Sequence, residues 1–90
     1  MGIELVSSSV LKVFKIPIDS LVGLADHYYL SETSGLHNSI GWGSNGIELR
    51  GTVRMTQQEV ERMERFLQAS KYSIATHNCE YFANYVLLNV

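Results

Sequence analysis

The single cysteine of the chain, Cys79, falls where a helix is expected to begin, directly after Asn78, a residue able to cap it. A helix N-terminus carries partial positive charge and unpaired N–H groups, and both favour an ionised thiol. A thiol so placed is a candidate nucleophile if an imidazole can take its proton. The sequence holds His27, His37 and His77. His37 opens a segment whose near neighbours on one face, Ser39 and Gly41, are small, which leaves room for a substrate and an approaching helix; it is the first choice of base. His27 is the alternative base, with His37 then orienting it. His77 reads as a surface or packing residue. Each group also has a plainer role, as a buried cysteine beside Phe82 or as a strand histidine. One cysteine excludes an intrachain disulfide and a cysteine-based zinc site. Histidines scattered over residues 27–77 lack ligand spacing, and the glycines match no phosphate-binding loop, so neither metal nor cofactor is expected.

The elements that must bring Cys79 and a histidine together can be read from pattern. Asn45-Gly46 is the preferred pair for a type I′ hairpin turn, because both central residues need positive φ. Folding the chain about that pair sets Gly43 opposite Glu48 and Gly41 opposite Arg50. Ile40, Trp42, Ile47, Leu49 and Val53 then share one face, and His37, Ser39, Gly41, Gly43, Glu48, Arg50 and Thr52 share the other. The first face forms core and the second could wall a site. Glu48 is the nearest acceptor for an imidazole N–H on the polar face. Simple pairing leaves it about 20 Å from His37, at ~3.3 Å per residue, so a bulge or strong curl would be needed.

Residues 10–16 and 26–30 read as strands, being rich in β-branched and aromatic side chains, with Pro17 marking an edge or strand end. Thr56-Gln57-Gln58-Glu59 is a capping box, flanked by Met55 and Val60 as a hydrophobic staple. It predicts a helix to about Ser70, with Val60, Met63, Phe66 and Leu67 on its buried stripe and Glu61 and Arg65 paired on the wet side. Residues 71–75 read as a short extended link. A second helix from Cys79 would bury Cys79, Phe82, Ala83 and Val86. Strands followed by helices describe an α+β domain: an antiparallel sheet packed with two helices, occupying residues 1–90 as a single domain.

Composition narrows the function classes. With 7 Lys+Arg against 9 Asp+Glu the net charge is −2, which gives no electrostatic reason to expect nucleic acid. Hydrophobic content of 46% and charged content of 18% are those of a globular domain, not a disordered chain. No apolar run approaches the ~20 residues that span a bilayer, so no transmembrane segment is expected. The acidic start, Met1-Gly2-Ile3-Glu4, is unlike a signal peptide. A lone thiol suits a reducing compartment, so a cytoplasmic protein is expected.

A family resemblance adds to this reading. His77-Asn78-Cys79-Glu80-Tyr81-Phe82-Ala83 resembles the Asn-Cys-Glu-x-Phe signature of the lecithin:retinol acyltransferase-like family, papain-like thiol enzymes with a permuted chain order. Ala25-Asp26-His27-Tyr28-Tyr29 is similar to that family's Gly-Asp-His-Ile-Tyr segment, with alanine for glycine. His37-Asn38-Ser39-Ile40-Gly41-Trp42-Gly43 is similar to its His-x-Gly-Ile-Tyr-x-Gly strand. The helix from Thr56 and the Lys71-Tyr72 link also fall where the family has a helix and a Lys-Tyr-Asn-Leu segment, so the resemblance covers about residues 24–86. It implies a compact permuted papain-like domain in which His37 activates Cys79 for attack on an ester or amide carbonyl. It implies lipid acyl esters as substrate, in a phospholipase or acyltransferase. The chain departs from the family at the second histidine. The position twelve residues after His37 is Leu49, and alignment on the turn gives Arg50, a cation that cannot accept an imidazole N–H. Glu48 is left as the third catalytic candidate. That departure also supports a non-catalytic interaction domain on the same scaffold, as in viral proteins with a His box and an Asn-Cys motif. An isopeptidase-like cysteine hydrolase is a further alternative, although that branch has Asn-Cys-Asn where this chain has Glu80.

Overall fold

The computed structural model describes residues 2–18, 25–43, 45–69 and 79–87. α1 spans Gln57–Ala69 and begins on the expected capping box: Glu59 N–H donates to Thr56 Oγ1 at 3.2 Å, and Thr56 N–H donates to Glu59 Oε1 at 2.8 Å. Glu59 is buried, and its second oxygen accepts from Ser9 Oγ at 2.5 Å, which ties the segment before the second strand to the start of α1. α2 spans Cys79–Leu87 and buries Cys79, Phe82, Ala83 and Val86, the four residues its spacing picks out. Arg62 of α1 donates from Nε to the Val86 carbonyl at 2.8 Å, satisfying one of the orphan acceptors at the end of α2. The links at residues 71–75 and the cap Asn78 lie outside the described residues, as does His77.

Among the described residues six strands precede the helices: β1 (Gly2–Leu5), β2 (Lys12–Ile18), β3 (Ala25–Ser31), β4 (Ser39–Gly43), β5 (Gly46–Arg50) and β6 (Thr52–Met55). β2-β3-β4-β5 form an antiparallel sheet, and β1 pairs with β6 in parallel as a separate two-stranded sheet. The result is a compact α+β fold. One face of the large sheet carries Leu30, Ile40 and Trp42 into a core with Phe66, Phe82, Ala83 and Val86. Trp42 meets Phe66 edge-on at 4.9 Å, and Phe66 meets Phe82 edge-on at 5.7 Å, so an aromatic cluster joins β4 to both helices.

The hairpin differs from expectation in register. Gly43 pairs with Gly46, Gly41 with Glu48 and Ser39 with Arg50, a shift of two residues from pairing about Asn45-Gly46. A two-residue shift conserves the side-chain period, so Ile40, Trp42, Ile47 and Leu49 still share the core side. His37 does not open β4; it lies in the turn before Ser39. Val53 and Thr52 belong to a new strand, because the chain turns at Gly51, whose φ is +65°. Thr52 N–H there donates to Asn38 Oδ1 at 3.0 Å, and Val53 pairs with Ile3. β1 went unread as a strand, although its sequence Gly-Ile-Glu-Leu recurs as residues 46–49, the start of β5. Among the described residues no helix is long and apolar enough to cross a membrane.

Candidate functional site

Cys79 is the first residue of α2 and is 5% exposed. Its Sγ accepts the Tyr28 N–H at 3.2 Å. Tyr28 lies one residue beyond the Tyr29–Gly41 pair with which the β3–β4 ladder ends. The thiol therefore meets the sheet where β3 and β4 part, at the peptide joining His27 to Tyr28.

His27 shares a sheet face with Tyr29, Gly41, Gly43 and Glu48, by the alternation of each strand and the pairing between them. This is the face opposite Ile40 and Trp42, away from the helices. The imidazole stacks on Tyr29 at 6.3 Å between ring centroids and 21° between planes. Its Nε2 stands 3.5 Å from Glu48 Oε1. Gly43 of β4 makes that contact possible, because a Cβ there would overlap Glu48 Oε2, whereas a Cβ on Gly41 would only touch His27 Nε2, at 3.4 Å. With no side chain at Gly43, an imidazole from β3 and a carboxylate from β5 reach each other across β4.

His37 occupies a different place. It is exposed, in the 32–38 loop between β3 and β4, and lines a polar cleft of about 210 Å³ with Ser31, Glu32 and Asn38. The thiol meets β3 at Tyr28, three residues before the strand ends at Ser31, roughly 10 Å of strand. The loop is held in several ways. Gly35 N–H donates to Tyr29 Oη at 2.9 Å, Ser31 Oγ to the Asn38 carbonyl at 3.1 Å and Ser39 Oγ to the Leu36 carbonyl at 3.3 Å. Glu32 and Arg54 form a two-pronged ion pair, with Nε to Oε2 at 2.9 Å. The guanidinium holds the Glu32 carboxyl below the ordinary glutamate range and in turn is raised by it.

Of the sequence candidates, the structure brings Cys79 to the His27–Tyr28 peptide and Glu48 to His27, and leaves His37 apart in its loop. Glu48 faces Gly41 rather than Gly43 and serves the other histidine. The Tyr28 N–H as a partner for sulfur escaped sequence reasoning, since any residue can supply a backbone donor. The Gly-x-Gly spacing of residues 41–43 was the available signal for a carboxylate lying over β4. Among the described residues no group of three or more histidine, cysteine or acidic side chains could hold a metal ion. Comparison with protein-family models, with curated proteins and with solved structures finds no match to this chain.

Proposed function

We propose that this chain is a thiol-dependent acyl-transfer or hydrolase domain of the permuted papain-like type, with Cys79 as nucleophile, His27 as base and Glu48 as the group that orients His27. The observation carrying this reading is the thiol at the first residue of α2, accepting a backbone N–H beside a histidine that is paired with a carboxylate. Nε2 of His27 faces Glu48, so Nδ1 is the nitrogen left to take the thiol proton. Sγ then attacks the carbonyl carbon of an ester or amide. An S–C bond forms, the C–O or C–N bond breaks, and the leaving alcohol or amine takes its proton from the imidazolium. Water or a second alcohol or amine attacks the thioester and restores the thiol. The first N–H groups of α2 are donors for the developing oxyanion. Lipid acyl esters are the substrate class the sequence resemblance favours, and a lone thiol favours a cytoplasmic setting.

A second reading, a non-catalytic interaction domain, is favoured by one specific observation: Cys79 is buried while the His27 side chain lies on the sheet face away from α2. Hydrolysis of an activated acyl ester, with alkylation of Cys79 by iodoacetamide in parallel, separates the two. The catalytic reading expects Cys79→Ser to abolish turnover, His27→Ala to lower it by about 10²–10⁴-fold, and His37→Ala to leave it near wild type. Equal turnover in wild type and Cys79→Ser, with no acyl-enzyme by mass spectrometry, establishes the interaction domain instead. Loss confined to His37→Ala returns the base to His37.

A further inference from the structure

We propose that Tyr29 is the positioning residue of the His27 imidazole; the catalytic consequence rests on the function proposed above. Tyr29 lies between two aromatic neighbours on the sheet face opposite Ile40 and Trp42, Phe14 across the strands and His27 along its own strand. Phe14, the register partner of Tyr29 on β2, stacks on it at 5.7 Å and 25°. His27 stacks on Tyr29 at 6.3 Å and 21°. Tyr29 contacts both rings and is 2% exposed. Its hydroxyl accepts the Gly35 N–H at 2.9 Å, so the ring is held at its far end as well as along its faces.

Two further neighbours among the described residues frame the imidazole. Gly41 closes in without a side chain, and Glu48 faces Nε2 at 3.5 Å. An imidazole turns about two bonds. One carboxylate oxygen sets the direction of one nitrogen but leaves the ring free to rotate about that line, and a stacked neighbour removes this second freedom. Tyr29 supplies the plane, Glu48 the direction. Gly35 has a φ of +117°, a conformation that favours glycine, so the loop presents its N–H to the tyrosine from a position few other residues could hold.

Proton NMR of the histidine ring hydrogens tests the geometry independently of any activity. In the wild-type protein the His27 ring hydrogens should show cross-relaxation to the Tyr29 ring and a ring-current displacement. Tyr29→Leu should abolish the displacement, and Tyr29→Phe should retain it because the stacked ring remains. Phe14→Leu should also retain it. Turnover of an activated ester should fall by about 10²-fold in Tyr29→Leu, as expected for a misplaced catalytic group, and recover in Tyr29→Phe. Absence of cross-relaxation in the wild type, or unshifted His27 resonances in folded Tyr29→Leu, overturns the inference whatever the activity. If Tyr29→Leu does not fold, the wild-type cross-relaxation decides. If the wild type has no esterase activity but the ring-current pattern holds, the positioning role stands and the proposed reaction fails.

Discussion

Replacing Gly43 by alanine should disconnect Glu48 from His27 while leaving the fold nearly as stable as before. The Glu48 carboxylate lies over Gly43: a Cβ there would overlap Oε2 and stand 3.0 Å from Cδ. The obstructing atoms are the end of a flexible side chain that is 47% exposed, so the carboxylate can swing into water without moving backbone. Neither Gly43 nor Gly41 has a positive φ, so alanine meets no backbone strain at either. Exchanging glycine for alanine at a compatible site stabilises by about 0.4–1 kcal/mol through the unfolded chain. Loss of a part-exposed imidazole–carboxylate contact costs at most about 0.2–1 kcal/mol. The two nearly cancel, and urea denaturation should show a net change within ~0.5 kcal/mol. Turnover on an activated ester should fall by about 10²-fold, because the imidazole loses the group that directs Nε2. Gly41→Ala is the control. Its Cβ would meet His27 Nε2 and the Tyr28 carbonyl at 3.4 Å, ordinary contact distance, so stability and the His27–Glu48 pair should both persist. A stability loss above ~2 kcal/mol in Gly43→Ala would show that the backbone, not Glu48, gives way. Unchanged His27 resonances in that variant would refute the contact itself.

Two further outcomes test the frame around the site. Gly51→Ala combines a φ of +65° with a Cβ that overlaps the His37 carbonyl and Asn38 Oδ1, so left-handed strain of about 1–2 kcal/mol and loss of the Asn38–Thr52 hydrogen bond, about 0.5–1.5 kcal/mol, should lower stability by about 2 kcal/mol or more. A melting temperature equal to wild type would refute the separation of β5 from β6 at this residue. Glu32 is held below its ordinary titration range by Arg54, so its folded-state proton affinity is the lower one. Its contribution to stability is complete above about pH 4–5, is lost as pH falls through the depressed value, and should vanish in Glu32→Gln. The pair is open to solvent, with side chains 47% (Arg54) and 33% (Glu32) exposed, so the acid limb of the stability curve should move only slightly, and less in high salt. An acid limb identical in wild type and Glu32→Gln would refute the link.

What could be read without coordinates is whatever depends on neighbours in the chain. The capping box at Thr56 and Glu59 needs partners three residues apart, and both of its hydrogen bonds form. The buried faces of α1 and α2 follow from helical spacing, and the faces of the hairpin strands follow from a period of two, which survives the two-residue slip in register. Tertiary structure alone decided the rest. The parallel pairing of β1 with β6 joins segments fifty residues apart, from Gly2 to Thr52, and requires Asn38 to hold Thr52 away from β5. That the thiol meets the His27–Tyr28 peptide depends on where β3 and β4 separate, since there the Tyr28 N–H reaches Cys79. Glu48 meets His27 because pairing sets it opposite Gly41 and the missing side chain of Gly43 opens the way across β4. Local pattern specifies which side of a strand a residue occupies. How far along that strand it meets its partner depends on contacts between residues distant in sequence.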